Sequence, residues 1–229
     1  MVTRNDPTTK AEHPHRSRTV GLALLSMSVG VGIAATANLS VAQAPDAWWK
    51  TVSESARTSG SITSALLLDS LGGGWLGGLL VPAFVLALLV LAGRWRASVF
   101  SGLAFLVSAG VVQVLKEAFS RDRPLGMIVD SDHGSFPSGH VANAATLALV
   151  LFYFFPRLWV AVGGVAWATA MALSRTLLGA HWASDVIGGA LVGVAVPLLL
   201  ASWLLPWARL RSAPLVRLRR RSRRIWDRG

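Results

Sequence analysis

Three short polar clusters interrupt an otherwise apolar chain, and each contains residue types suited to binding an anion or moving a proton. In the first cluster, 116–124, the cations Lys116 and Arg123 are seven residues apart. If the preceding helix continues to Pro124, both cations lie on one face, two turns apart, and together suit an anion with several oxygens. The alternative is that two long side chains simply reach toward water at the end of an apolar helix.

The second cluster, 136–140, opens an apolar stretch and combines a hydroxyl, a glycine and an imidazole. A helix that begins here offers unpaired backbone N–H groups and the positive end of its dipole. Ser138 adds a hydroxyl donor, and Gly139 lets an anion approach the backbone closely. His140 can transfer a proton near neutral pH. The alternative interpretation is a serine N-cap beside an interfacial histidine.

The third cluster, 174–185, contains a histidine and an aspartate four residues apart, His181 and Asp185. That spacing places both on one helix face, where the carboxylate can accept the Nδ1 proton and leave Nε2 free as a nucleophile. Arg175 offers a planar guanidinium fork that matches phosphate oxygens. The alternative is an ordinary hydrogen bond between an interfacial histidine and aspartate.

Together, the three clusters fit phosphoryl transfer without a metal ion. Lys116, Arg123 and Arg175 supply fixed charges that can stabilise the equatorial oxygens of a phosphoryl group, as a metal would. Asp185 is the only carboxylate at a ligand-like spacing from the two histidines. We therefore expect no bound metal and no other cofactor.

Composition predicts the kind of element that must position these clusters. Of the 229 residues, 53% are hydrophobic and only 14% are charged, whereas a typical soluble domain has about 25% charged residues. So few charges argue against a soluble globular protein and, more strongly, against a disordered chain. Because the chain contains no cysteine, a disulfide scaffold, a thiolate nucleophile and a Cys-ligated metal are excluded.

Six stretches without Asp, Glu, Lys or Arg are interpreted as membrane-spanning helices. They are residues 19–45, 70–93, 97–115, 141–156, 158–174 and 186–208. The predicted fold is therefore an all-α integral membrane bundle of six transmembrane helices in a single domain.

The distribution of charge predicts the orientation of this bundle. The formal net charge is +11. If the six helices alternate, one side receives 16 basic and 3 acidic residues and the other receives 6 basic and 8 acidic residues. Because basic residues concentrate in cytoplasmic loops, we expect both termini in the cytoplasm. The three clusters then lie at the extracytoplasmic face of the plasma (inner) membrane.

Three parts of the chain are expected from this pattern. They are a basic cytoplasmic segment at 1–18, the membrane domain at 19–208 and an Arg-rich cytoplasmic tail at 209–229. We expect the tail to contact anionic lipid headgroups. Nucleic acid is not expected as a partner, because no folded nucleic-acid-binding module accompanies the tail.

Two features around the first helix allow alternative interpretations. Basic residues precede it and Ala42-Gln43-Ala44 follows it, which resembles a signal-peptidase site. Its apolar run is long for a cleaved signal, so an uncleaved helix is favoured. The pair Trp48-Trp49 is interpreted as an anchor at the membrane interface, and the alternative is a gate for the substrate.

In order and spacing, the clusters resemble the three-part signature of the type 2 phosphatidic acid phosphatase superfamily, which also includes soluble vanadium haloperoxidases. The matching patterns are Lys116-x6-Arg123-Pro124, Pro137-Ser138-Gly139-His140 and Ser174-Arg175-x5-His181-x3-Asp185. All key positions match, and the core of the resemblance covers residues 97–201. The resemblance implies a phosphatidic acid phosphatase type 2/haloperoxidase-like core.

The resemblance also implies a role for each residue of the site. His181 would attack phosphorus and form a phosphohistidine intermediate, and Asp185 would orient His181. His140 would protonate the leaving oxygen and later activate the water that releases inorganic phosphate. The substrate phosphate would be bound by Lys116, Arg123, Ser138, Gly139 and Arg175.

Members with this layout act on lipid phosphates, so the implied partner is a polyprenyl pyrophosphate, phosphatidic acid or phosphatidylglycerol phosphate. A site on the outer face favours the polyprenyl pyrophosphate. One alternative is a lipid phosphotransferase with the same site, and another is a vanadium haloperoxidase, against which six spans argue. The non-enzymatic alternatives are a non-catalytic binding protein and a membrane transporter. A transporter would place charges near the bilayer midplane, whereas these charges lie at span ends.

Overall fold

The computed structural model describes residues 14–74, 76–130 and 134–210. Within these ranges all regular secondary structure is helical, which confirms the expected all-α class for this part of the chain. The elements are α1 (Pro14–Thr36), α2 (Ser40–Ser55), α3 (Ser59–Gly72), a π-helical turn (Leu76–Leu80), α4 (Val81–Leu91), α5 (Trp95–Phe119), α6 (Gly139–Phe154), α7 (Leu158–Leu177) and α8 (Ala183–Ala208). Most of the expected basic segment, 1–13, and most of the Arg-rich tail, 211–229, lie outside the described residues.

The six predicted spans are confirmed only in part. Four helices, α1, α5, α7 and α8, are each long and apolar enough to cross a membrane. Helix α3 and the stretch Leu76–Leu91 reach that length only as a pair, which is bent by 44°. Helix α6 is apolar but has only 16 residues. Length and composition therefore support four spans, or five with the bent pair, in the described part of the chain.

The predicted second span, 70–93, differs most from the structure. The helical segment begins earlier, at Ser59 in α3, and breaks at Gly72–Gly74 before it continues toward α4. Gly74 has a φ of +56°, a left-handed conformation that favours glycine. Helices α2 and α3 together fill most of the segment between the first two predicted spans, 19–45 and 70–93.

Helix α8 is central to the bundle and packs against α1, α5 and α6. A Cβ added at Gly189 would overlap the carbonyl oxygen of Ser138, and one added at Gly193 would overlap the backbone of α6. Small residues at such crossings let membrane helices approach closely. Thr146 adds a polar link, because its hydroxyl lies 3.0 Å from the Ser108 hydroxyl of α5.

Aromatic residues close the end of the bundle that is remote from the three clusters. Phe100 packs edge-on against Tyr153 and Phe154, with ring centroids 6.0 and 5.7 Å apart. Trp95 packs edge-on against Trp207 at 5.5 Å. Aromatic layers of this kind are typical of membrane–water interfaces. Since these residues lie at the start of α5 and the ends of α6 and α8, the opposite ends of the same helices meet at the clusters.

Candidate active site

The three clusters of the sequence meet at one end of α5–α8. Every residue that the sequence assigns to the site lies in the last turn of α5 or α7, in the first turn of α6 or α8, or in the segments that join these helices. In chain order these residues are Lys116, Arg123, Ser138, Gly139, His140, Arg175, His181 and Asp185. Alternating helix direction is the physical reason that positions so far apart in the chain arrive at the same end.

His181 lies between α7 and α8 and is buried, with 4% of its surface exposed. Its Nδ1 is 2.8 Å from the carbonyl oxygen of Ser135, which can only accept, so Nδ1 carries the proton and Nε2 keeps its lone pair. Burial lowers the pKa of His181 to about 4, an effect that the carboxylate of Asp185 opposes. The positive charges of Arg175 and Arg123 lower the same pKa further. Near pH 7 the imidazole is therefore neutral, with Nε2 in its nucleophilic form.

The spacing of His181 and Asp185 predicts that the carboxylate accepts the Nδ1 proton, but in the structure it does not. Its Oδ2 lies 3.6 Å from Nδ1, beyond hydrogen-bond distance, and the carbonyl oxygen of Ser135 is the closer acceptor. The buried carboxylate instead accepts hydrogen bonds from the backbone N–H of Trp182 at 2.8 Å and from Nη1 of Arg121 at 2.5 Å. Asp185 therefore acts on His181 as a nearby negative charge.

Arg121 and Asp46 form a buried network behind Asp185 that no motif in the sequence indicates. Nη2 of Arg121 lies 2.6 Å from Oδ2 of Asp46, and Nη1 donates to the Ser184 hydroxyl at 2.7 Å. Asp46 also accepts hydrogen bonds from the Ser184 backbone N–H at 2.8 Å and from its hydroxyl at 2.7 Å. The sequence offers one signal for this network: Asp46 is a carboxylate beside the Trp48-Trp49 pair, in a segment otherwise suited to the membrane interface.

The predicted common helix face of Lys116 and Arg123 is wrong. Helix α5 ends at Phe119, and Ser120 adopts a left-handed φ of 40°, so the helix does not continue to Pro124. Arg123 therefore lies on the loop that follows α5, whereas Lys116 lies in the last turn of the helix.

The loop after α5 nevertheless directs Arg123 to the site. Its Nη1 donates to the carbonyl oxygen of Ala180 at 2.6 Å, and its Nη2 donates to that of Gly134 at 3.0 Å. Ala180 immediately precedes His181, so the guanidinium lies near the His181 imidazole. Lys116 is also buried, and its backbone carbonyl faces Gly134. Arg123 and the backbone of Lys116 thus both border Gly134.

His140 and Arg175 converge on Asp69 of α3, a third residue that the sequence does not assign to the site. Nε2 of His140 lies 3.0 Å from Oδ1 of Asp69, and Nη1 of Arg175 pairs with the same oxygen. Arg175 is buried, whereas His140 and Asp69 are partly exposed. An anionic oxygen at this position is stabilised by both groups, and a phosphate oxygen placed there would contact the same pair.

Ser138 joins the start of α6 to the start of α8, because its backbone N–H donates to the carbonyl oxygen of Asp185 at 3.0 Å. Its hydroxyl is buried and, among the residues that the structure describes, has no hydrogen-bond partner. A buried hydroxyl left unpaired costs free energy. Gly139 begins α6, whose first backbone N–H groups have no partner within the helix. The two residues therefore offer donors to a ligand.

The site combines a neutral imidazole with an available Nε2 lone pair, a second histidine, three cations and the N-terminus of a helix. Within residues 14–74, 76–130 and 134–210, no three His, Cys, Asp or Glu side chains are grouped as metal ligands would be. The arrangement suits transfer of a phosphoryl group, in which the protein stabilises charge on oxygens and supplies the attacking atom.

Residues 97–209 match the sequence profile of the PAP2 superfamily. They form a PAP2 domain. The resemblance to type 2 phosphatidic acid phosphatases is thereby confirmed. The PAP2 domain runs from α5 through α8 and contains all eight residues that the sequence assigns to the site, whereas Asp46 and Asp69 precede it.

Curated relatives share this domain with moderate identity. The chain is 37% identical over 106 residues to lipid A 1-phosphatase of Porphyromonas gingivalis, covering 45% of this chain and 22% of the relative. It is 32% identical over 130 residues to phosphatidylglycerophosphatase B of Bacillus subtilis, covering 49% and 64%. It is 30% identical over 118 residues to undecaprenyl-diphosphatase of Sulfolobus acidocaldarius, covering 48% and 56%. The matches thus span less than two thirds of each relative.

Solved structures share the fold. A transmembrane PAP2-type phosphatidylglycerolphosphate phosphatase from Bacillus subtilis superposes with a TM-score of 0.63 at 24% identity, over 87% of this chain and 99% of its own. LpxE from Aquifex aeolicus gives a TM-score of 0.60 at 23% identity, over 69% and 95%. These likenesses show that the PAP2 fold extends beyond residues 97–209, to most of the described chain.

Proposed function

We propose that this protein is a metal-independent membrane lipid phosphatase that hydrolyses a phosphomonoester or a pyrophosphate of a lipid. The observation that carries this proposal is His181: a buried, neutral imidazole with its Nδ1 proton engaged by a backbone carbonyl and two arginines nearby. Relatives whose names refer to lipid A, phosphatidylglycerophosphate and undecaprenyl diphosphate support a lipid phosphate as the substrate.

The proposed reaction has two steps. Nε2 of His181 attacks phosphorus and the bond from phosphorus to the leaving oxygen breaks, while His140 donates a proton to that oxygen. In the second step His140 takes a proton from water, whose oxygen attacks the phosphohistidine. The bond from nitrogen to phosphorus breaks, which releases inorganic phosphate and regenerates neutral His181.

The remaining residues of the site stabilise charge during both steps. The negative charge of Asp185 offsets the positive charge that develops on the imidazole of His181 as it attacks. Arg175 and the Ser138 hydroxyl face the phosphoryl oxygens. The same role is proposed for Lys116, Arg123 and the backbone N–H of Gly139.

An apolar groove beside the site supports a lipid substrate. It has a volume of about 450 Å³ and lies between α6, α7 and α8. Val141 and Val186 line its near end and directly follow His140 and Asp185 in the chain. A lipid held by its phosphate at the site can therefore lay a hydrocarbon chain in this groove without leaving the bilayer. The candidates are a polyprenyl pyrophosphate, phosphatidic acid and phosphatidylglycerol phosphate.

Phosphate release from purified protein tests the proposal. In detergent micelles with EDTA, the wild-type protein should release one inorganic phosphate per bond cleaved from at least one lipid of this set. His181→Ala should lower kcat by about 10³-fold or more, because it removes the attacking atom. His15→Ala, an exposed histidine at the start of α1, is the matched control and should retain full activity. Wild-type activity in His181→Ala would refute the mechanism, and phosphate recovered only on an acceptor lipid would identify a phosphotransferase.

We also propose that the protein is a multi-pass protein of the plasma (inner) membrane, with both termini cytoplasmic and the active site extracytoplasmic. The charge asymmetry supports this orientation, and α6 is then a short sixth crossing. A protease-cleavable tag after residue 229 should be protected in intact cells and cut after lysis. Cleavage of that tag from outside intact cells would refute the orientation.

A further inference from the structure

A chain of buried ion pairs lies on the side of Asp185 that faces away from His181. Nη1 of Arg121 is 2.5 Å from Oδ1 of Asp185, and Nη2 is 2.6 Å from Oδ2 of Asp46. The side chains are 11%, 0% and 3% exposed in the order Arg121, Asp185, Asp46, so water screens them little. One guanidinium thus bridges a carboxylate of α8 and a carboxylate of α2.

The bridge fixes the plane of the Asp185 carboxylate. Oδ1 is held by Arg121, and Oδ2 is held by the backbone N–H of Trp182 at 2.8 Å. The guanidinium of Arg121 in turn lies over the Trp182 ring, 5.4 Å from its centroid. Because both oxygens are occupied, Oδ2 stays on the side of His181, at 3.6 Å from Nδ1.

The second carboxylate matters because of the charge balance. Asp185 paired with Arg121 alone would form a neutral unit and present little negative potential to His181. Asp46 shares the guanidinium, so the group of three carries one net negative charge. Arg175 and Arg123 place positive charge near His181, and a net negative group is needed to offset them as the imidazole becomes cationic during attack.

We propose that Arg121 and Asp46 are positioning residues for the nucleophile. They hold the Asp185 carboxylate in place and preserve its net negative charge, so that helix α2, outside the PAP2 domain, takes part in catalysis at His181. This role rests on the proposed function, in which His181 attacks phosphorus.

Charge-removing variants test this role in the full-length protein in detergent micelles. The substrate is phosphatidic acid if the wild type cleaves it, and otherwise the lipid of the panel that the wild type cleaves fastest. Asp46→Asn keeps the shape of the side chain and leaves the three groups neutral. Asp46→Asn should lower kcat by about tenfold, comparable to the loss of a residue that hydrogen-bonds to a metal ligand in a metalloenzyme. It should leave KM within about twofold, because no phosphate-binding group changes. Glu54→Gln is the matched control, since Glu54 lies on the same helix in a partly exposed pair with Lys50.

The double variant Asp46→Asn/Arg121→Gln separates charge from structure. It removes a second buried partner but returns the group to one net negative charge, carried by Asp185 alone. We expect its kcat to exceed that of Asp46→Asn by at least about threefold, a recovery that a merely structural role would not produce. If Asp46→Asn does not fold, Arg121→Lys replaces it: a point charge cannot bridge two carboxylates as the fork does, so kcat should fall with KM unchanged.

The outcomes are distinct. A wild-type kcat in folded Asp46→Asn, or a double variant no more active than Asp46→Asn, would overturn the positioning role, and so would a wild-type kcat in Arg121→Lys. If the wild-type protein releases no phosphate from any lipid of the panel, the proposed function itself has failed.

Discussion

The buried neutral state of His181 predicts how stability depends on pH. In the folded protein the pKa of His181 is about 4, against an ordinary value of 6.5 in the unfolded chain. The unfolded state therefore binds more protons between these two values, and the contribution of His181 to stability is present above pH 6.5 and lost as the pH falls toward 4. Linkage between the two pKa values gives a loss of about 2 kcal/mol between pH 7 and pH 5.

Thermal unfolding of the detergent-solubilised protein measures this loss. For a chain of this size, about 2 kcal/mol corresponds to a decrease in Tm of about 4–8 °C. The asparagine of His181→Asn cannot be protonated. Between pH 7 and pH 5 the Tm of this variant should therefore fall by about 4–8 °C less than that of the wild type. His15→Asn should behave as the wild type. Other titrating groups cancel in the comparison. Equal decreases in the wild type and His181→Asn would show that His181 is not held neutral by burial, which would refute the reasoning.

Further substitutions test the packing and the ligand contacts. Gly189→Ala should lower Tm and kcat, because its Cβ would overlap the Ser138 carbonyl oxygen, at a cost of about 1–3 kcal/mol. Gly163→Ala, whose Cβ meets open space within α7, should lower neither, and its Tm should rise slightly because alanine favours a helix over glycine. Ser138→Ala should reduce kcat/KM by about tenfold without lowering Tm, since the hydroxyl has no partner within the described protein and is proposed to bind the substrate phosphate. A decrease in Tm would contradict this. Ala168→Phe narrows the groove and should slow hydrolysis of long-chain lipids while sparing a short-chain lipid phosphate; equal effects on both would exclude the groove as the chain site.

The site was predictable from the sequence wherever local spacing and helix ends determine position. His140 and Asp185 lie in the first turns of α6 and α8, and His181 lies in the short segment just before α8. Once spans alternate, these positions must lie at one end of the bundle. Helix ends are also where charged residues can remain in water beside apolar spans, so the clusters stand out from their surroundings.

The contributions of α2 and α3 were not predictable in the same way. Asp46 and Asp69 border the first two uncharged stretches, so a search for such stretches leaves most of α2 and α3 outside the predicted spans. Their partners are 75 and 106 residues away along the chain, and only packing brings them together. The Nδ1 acceptor is a backbone carbonyl, that of Ser135, which leaves no side-chain signature in the sequence.

The region that matches the PAP2 superfamily does not contain all the charged residues that meet at the site. Residues 97–209 match the PAP2 superfamily, yet Asp46 and Asp69, which pair with Arg121, Arg175 and His140, come from helices that precede this region. A chimera that grafts residues 97–209 onto the leading helices of a relative would inherit the motifs but exchange the two carboxylates. If Asp46 has the proposed positioning role, we expect such a chimera to reach full activity only when α2 and α3 are transferred together with residues 97–209.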